Sequence, residues 1–371
     1  MDRKHPENLF AIVAPGLETA CAAELTELGM ADIAVVSGGV AFTGRLADLY
    51  RASLHLRIAS RLVVRFARFR CRDFPELYRH GFRLPWGRFV RPDTPLTFRV
   101  TCRNSRLMHT GRVAETLSAA ADRALGRDSR VAAEGEGQLL LVRIVDDVVE
   151  LSVDSSGELL HRRGHRTQVA AAPLRETLAA GVLRLLGWRG DEPLADPLCG
   201  TGTFLLEGAL LATGKAPGLE RTFAFMTWPG YRPGLWRQLG DEARRAERPC
   251  PVAITGGDVD AAALAAARDN LAQAGLSAAV TLQQCRLAGQ PVHAGRGLVV
   301  CNPPYGKRLV TAEPLEDYFA KLGRELQRAY PGWRKALLAP EPQLARATGL
   351  PLREVAVVDN GGLKVGLYAT E

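Results

Sequence analysis

A chain of 371 residues, 47% of them hydrophobic, is long enough to fill two or three globular cores, which excludes a disordered polymer. No apolar run approaches the roughly 20 residues of a membrane span, and the opening stretch MDRKHPENLFAIVAPGLE is too weakly apolar for a secretory leader. The net charge of +8 is unevenly spread: residues 45–112 hold 16 arginines, no lysine and 4 acids, a surplus of 12 that leaves the rest of the chain net acidic by 4.

The first elements alternate strand and helix. Residues 9–14 read as a strand and 17–29 as a helix stopped by Gly29. Residues 32–37 and 39–44 form a hairpin about Gly38 and Gly39, a helix runs through 47–62, and 63–70 is a strand. That βαββαβ order is ferredoxin-like. A connection rich in Pro and Trp (82–95) leads to a strand (96–102), a helix (111–126) and two strands (139–145 and 148–154) turning at Asp146 and Asp147. This second α+β module ends near Gly157. The predicted layout is therefore 1–70, 71–160 and a third domain over 161–371.

Arginine offers phosphates a flat fork of donors, so the surplus at 45–112 suits RNA, with Tyr78, Phe82, Trp86 and Phe89 interleaved. Solvated faces in an arginine-favouring composition are the competing explanation. The segment LLHRRGHRTQ (159–168) reads as a basic hinge. Arg103, Arg106, Arg162, Arg163 and Arg166 are the expected RNA contacts.

From Ala172 onward helices alternate with short apolar strands, the grammar of a parallel, doubly wound α/β sheet. Helix 175–188 is followed by strand, turn and helix in 193–214, the same again in 251–275, and a strand running into Asn302. A helix (321–332), a strand (335–340) and an antiparallel hairpin turning at Asn360 and Gly361 close the chain.

Three places in this sheet carry chemistry. In DPLCGTGTF, Gly200 and Gly202 stand between a strand and a helix start, where missing side chains admit a ligand close to the backbone. Position 205 is Leu rather than a third glycine, and no P-loop lysine follows, so pyrophosphate is poorly served. A ligand with ribose, adenine and an amino-acid tail fits better, with Asp196 meeting its ammonium. Asp258, ending the next strand, is placed to accept two ribose hydroxyls, while Asp260 caps the following helix.

Asn302, Pro303, Pro304 and Tyr305 form the third. Two prolines stiffen the backbone, so the Asn302 carboxamide oxygen and the Pro303 carbonyl can act as paired acceptors for both hydrogens of one exocyclic amine. Gripping both hydrogens draws the nitrogen toward tetrahedral geometry and offers its lone pair to an in-line electrophile. Tyr305 can stack on an extruded base. The seven cysteines (Cys21, Cys71, Cys102, Cys199, Cys250, Cys285 and Cys301) show no metal-ligand spacing, so no metal is expected.

Taken together, GLE (16–18), LLHRRGHR (159–166), PLRETLAA (173–180), DPLCGTGTFLLEGALLATGKAPGLER (196–221), GGDVD (256–260) and NPPYGKRL (302–309) resemble the bacterial THUMP-domain methyltransferases that modify guanine N2 in 23S rRNA. The resemblance implies a ferredoxin-like and THUMP RNA-binding half and a Rossmann-like class I methyltransferase domain using S-adenosyl-L-methionine. It places Asp196, Cys199, Gly200, Gly202, Thr203, Asp258 and Asn302 at the cofactor, and Asn302, Pro303, Pro304 and Tyr305 at the target base. Residues 215–236 resemble the rRNA branch and favour rRNA as partner over tRNA. Adenine-N6 methylation and a non-catalytic ribosome-assembly role are the alternatives. Two departures stand out: Cys285 and Arg286 replace the acid that relatives place near the adenine amine, and the chain stops at Glu371 where some relatives continue into a second catalytic domain, so one chemistry is expected.

Overall fold

The protein, known here from a computed structural model, is described over residues 6–127, 137–164, 174–304 and 314–371. Its N-terminal half runs β1 (Glu7–Ile12), α1 (Glu18–Glu27), β2 (Ala31–Val36), β3 (Gly39–Gly44), α2 (Leu46–His55), β4 (Arg61–Arg70), α3 (Phe74–Phe82), β5 (Leu96–Arg103), α4 (Thr110–Leu125), β6 (Gln138–Val145) and β7 (Val148–Asp154). These strands form one seven-stranded sheet in the order β2-β3-β1-β4-β7-β6-β5. The ferredoxin-like and second modules thus share a sheet, because β4 pairs with β1 on one side and β7 on the other.

Alternation along the strands gives that sheet two different faces. Leu9, Ala11, Val40, Phe42, Val142, Ile144, Leu151 and Val153 are buried on the face carrying the helices. On the opposite face stand residues such as Asn8, Thr43, Arg68 and Arg143.

Two local expectations change. The helix expected over 47–62 ends at His55, because the N–H groups of Arg57 and Ile58 donate to the buried Glu24 carboxylate at 3.2 and 3.1 Å. Within the Arg-rich stretch α3 appears, announced by Asp73, whose side chain accepts from the Glu76 N–H at 2.7 Å, and by Pro75 in the first turn. Of the four interleaved aromatics, Trp86 and Phe89 are core residues packed on Phe66, and only Tyr78 and Phe82 reach solvent. Arg57 and Arg61 are buried as well.

The C-terminal half runs α5 (Glu176–Leu185), β8 (Leu194–Asp196), α6 (Thr203–Ala212), α7 (Pro233–Arg245), β9 (Ile254–Asp258), α8 (Ala261–Gln273), β10 (Thr281–Gln284), β11 (Leu298–Cys301), α9 (Leu315–Ala329), β12 (Arg334–Ala339), α10 (Pro342–Ala347), β13 (Arg353–Asn360) and β14 (Leu363–Ala369). Its sheet order is β10-β9-β8-β11-β12-β14-β13, parallel through β12 and closed by the antiparallel pair. Both faces are covered. In β11, Leu298 and Val300 enter one core, and Val299 and Cys301 enter a second with Phe319, Leu326 and Tyr330.

A buried polar seam joins the halves. Arg57 donates to the carbonyls of Leu210 and Lys215, at 3.1 and 2.8 Å, and Arg163 pairs with Glu207 while donating to the Arg57 carbonyl. Burial pushes the Glu24 carboxyl up to about 7, although Arg57 and two backbone N–H groups pull it back. Residues 215–236 extend the seam: Tyr50 stacks on Phe225 at 4.7 Å and meets Trp236 edge-on at 5.7 Å.

Candidate active site at the catalytic sheet edge

The chain leaves β8 in opposite directions, toward β9 on one side and β11 on the other, so a crevice opens at the carboxyl ends of these strands. Registers place the expected residues around it. Asp196 lies level with Gly256, so Asp258 stands two residues beyond it on one side. Val299 pairs with Ala195, so Asn302 stands about as far beyond on the other. The strands bearing Asp258 and Asn302 are two spacings apart, on the order of 10 Å.

The Gly-rich turn is held by its backbone. The Cys199 N–H donates to the Gly257 carbonyl at 2.9 Å, the Gly202 N–H to the Cys199 carbonyl at 2.8 Å, and the Gly200 N–H to Asp258 Oδ2 at 2.8 Å. Gly200 and Gly202 both have positive φ, +51° and +78°, for different reasons. A Cβ on Gly202 would lie 3.1 Å from that of Ala267, whereas one on Gly200 would project into open space. Gly202 serves helix packing, and Gly200 leaves open space beside its backbone. Thr203 begins α6 with no side-chain cap, which leaves first-turn N–H groups facing the crevice end.

Asp196 is buried, with Oδ1 accepting the Leu198 N–H at 3.1 Å. Burial drives its carboxyl up to about 8, the Leu198 bond opposes this, and the Asp258 charge adds to it. Burial thus favours the neutral acid, and a nearby cation would favour the ionised form. Burial likewise raises the Cys199 thiol, with the Asp196 charge next in size. Asp258 accepts Gly200 and Asp260 N–H groups, one on each oxygen, and a carboxylate so bonded keeps further lone pairs for hydroxyls. Asp260 caps α8 by accepting the Ala262 N–H at 2.8 Å.

Asn302 carries the most telling feature. Its Oδ1 is buried and has no hydrogen-bond partner among the described residues. A buried acceptor left unpaired costs about 1–3 kcal/mol, which a donor arriving in the crevice would recover. Pro303 is buried and Pro304 half-buried; Tyr305 lies outside the described residues. Beyond β10, where the sequence offered Cys285 and Arg286, the structure adds a residue the motifs did not reveal. Gln290 is buried, accepts the Tyr330 hydroxyl at 2.6 Å and donates to the Cys285 thiol at 3.4 Å. No spacing rule points to it, since it comes from the loop after β10.

The expected RNA contacts divide. Arg103 and Arg106 are exposed at the end of β5 and just after it, and Arg162 is exposed beside Glu158 at 3.4 Å. Arg163 is a correction: it is 3% exposed, and its guanidinium is consumed by Glu207 and two carbonyls, so it holds the seam rather than RNA. Arg166 lies outside the described residues.

Comparison with known proteins decides the lineage. Residues 163–366 match the RMKL-like methyltransferase domain family, and residues 8–63 match the RlmL ferredoxin-like domain. The chain belongs to the RMKL-like methyltransferase family. A Synechocystis sp. protein named as a candidate RNA methyltransferase is 36% identical over 98% of this chain and 96% of its own length. A Methylococcus capsulatus protein named ribosomal RNA large subunit methyltransferase K/L is 38% identical over 97% of this chain, which spans only 50% of that relative. The crystal structure of SMU.472, a methyltransferase by its description and complexed with SAH, superposes with a TM-score of 0.88 at 29% identity, over 99% of this chain and 98% of that one. Membership in the RMKL-like family agrees with the ferredoxin-like start, the class I methyltransferase sheet and the crevice. No helix among the described residues is long and apolar enough to cross a membrane.

Proposed function

We propose that this RMKL-like protein methylates an exocyclic amine of RNA, guanine N2 in large-subunit rRNA, using S-adenosyl-L-methionine. The unpartnered Asn302 Oδ1 carries this reading: a buried acceptor at the crevice is built to receive an N–H. The crevice also suits the cofactor, since no cationic group among the described residues pairs with Asp196, Gly200 borders open space and Asp258 retains acceptor capacity. Asp196 would hold the ammonium, Gly200, Gly202, Cys199 and Thr203 the amino-acid end, and Asp258 the ribose hydroxyls. Cofactor binding supplies an electrophilic methyl on a sulfonium.

The chain's own groups do the rest. Asn302 Oδ1 and the Pro303 carbonyl accept hydrogen bonds from the two amine N–H groups, orienting the nitrogen lone pair. No side-chain base is needed, because the nitrogen becomes acidic once alkylated and releases its proton to solvent. Asn302→Ala should abolish methyl transfer while RNA affinity stays near wild type; undiminished turnover would remove Asn302 from its role. Paired acceptors serve adenine N6 equally well, so nucleoside mass spectrometry on a deletion strain, looking for missing N2-methylguanosine or N6-methyladenosine, discriminates. Arg103, Arg106 and Arg162 are the exposed basic residues of this reading.

A further inference from the structure

Among the described residues the helices of the N-terminal sheet pack on one face; on the other, Val63, Ser152 and Asp154 are buried toward one end, and a bulge in β4 gathers arginines toward the exposed end. Along β4, Arg65 pairs with Ser152 of β7, the register then skips Phe66, and Arg68 and Arg70 pair with Glu150 and Val148. Without that bulge Arg65 and Arg68 would point to opposite faces; with it all three share the face opposite the helices. Across β7 the same rows continue. Glu150 faces Arg143 of β6, and Arg143 faces Thr101 of β5, which brings Arg99 and Arg103 onto the same surface.

The result is a patch of Arg65, Arg68, Arg70, Arg99, Arg103 and Arg143 with Glu150 as the acid in its midst. Arg65 is held in place, 3.2 Å from Glu150 and over the Phe10 ring at 3.7 Å. The other five are exposed, and no acceptor for their guanidinium groups is seen among the described residues. With strands about 4.8 Å apart and side chains on one face repeating every ~6.8 Å, the patch measures roughly 14 Å each way. No exposed aromatic ring of the described residues stands on it: Tyr78 and Phe82 belong to α3, on the helical face.

We infer that this exposed arginine patch is a docking surface for the phosphodiester backbone of folded RNA, gripped by guanidinium groups rather than by stacked bases. The inference rests on RNA being the substrate and specifies where the RNA lies. Charge complementarity selects the occupant: unpaired cations on a rigid sheet match a regular array of phosphates. The absence of aromatic platforms disfavours the splayed single strand that stacking surfaces hold.

The test compares the Arg68→Ala/Arg99→Ala/Arg143→Ala triple variant, the corresponding lysine triple, and an Arg79→Ala/Arg83→Ala control on α3 and its C-cap, by anisotropy with a labelled rRNA hairpin across a salt titration. The alanine triple should lose at least about tenfold in affinity at 100 mM salt and flatten the log–log salt slope by about 2, while the lysine triple restores the slope. The α3 control should bind as wild type. Unchanged melting temperature and S-adenosylhomocysteine binding in the alanine triple exclude misfolding. Wild-type affinity in the alanine triple, or loss confined to the α3 control, overturns the surface; equal wild-type affinity for polyglutamate overturns RNA as its occupant. Wild-type protein with no RNA affinity at low salt overturns both this surface and the RNA substrate, whereas failure of the catalytic reading shows separately, as undiminished turnover in Asn302→Ala.

Discussion

The two seven-stranded sheets solve the same burial problem differently, and each solution dictates where a ligand can go. The catalytic sheet, mostly parallel, is clad on both faces, so only strand ends remain accessible, and Asp196, Asp258 and Asn302 all lie there. The N-terminal sheet is mostly antiparallel and carries its helices on one face, so part of the other face, around Arg68, Arg99 and Arg143, is exposed. A small cofactor and one base fit a crevice; a polyanion needs area.

Edge substitutions should therefore damage chemistry and face substitutions only docking. The largest effect is expected at Asn302→Ala, a loss of about 10²–10³-fold or more in turnover, measured with saturating RNA. Comparable loss of RNA affinity would blur the distinction between edge and face. Next comes the seam. Arg163→Met leaves Glu207 buried without its partner and should destabilise by about 3–5 kcal/mol in denaturant unfolding, with much of this recovered in Arg163→Met/Glu207→Leu.

The Asp196 carboxyl gives a pH signature confined to the edge. Its folded pKa, about 8, lies above the ordinary carboxylate value, so its favourable contribution to ligand-free stability is complete below about pH 4 and is lost as pH rises toward 8. Asp196→Asn should flatten that dependence and raise the melting temperature at pH 8, while weakening cofactor binding. Wild-type protein at pH 7 should release a proton as the cofactor ammonium binds, visible in calorimetry across buffers of different ionisation enthalpy. The smallest effects separate the two glycines. Gly202→Ala, crowded against Ala267, should reduce stability by about 1–2 kcal/mol, whereas Gly200→Ala, with open space beside it, should reduce cofactor affinity more than stability.

Much of this was legible in the sequence where physics is local. Period-2 and period-3.6 patterns gave the βαββαβ order and the alternating strands and helices of the second half. The strand-terminal positions of Asp196, Asp258 and Asn302 followed from where apolar runs stop. Long-range choices escaped. The end of α2 is set by Glu24, more than thirty residues away, and Arg163 looked like its neighbour Arg162 until Glu207 was seen beneath it. Trp86 and Phe89 read as a nucleic-acid pattern because composition does not say which side of a sheet a ring occupies. The bulge at Phe66 is likewise invisible in one strand alone, since register is a property of pairs.

The Arg57 guanidinium, reaching from the ferredoxin-like half to the last turn of α6, ties the helix that starts at the glycine turn to a distant module. Chimeras that exchange N-terminal halves among relatives must therefore transplant matched seams. A catalytic half grafted without its own Arg57 would leave the Leu210 and Lys215 carbonyls without their donor, and such hybrids should fail in assembly before they fail in recognition.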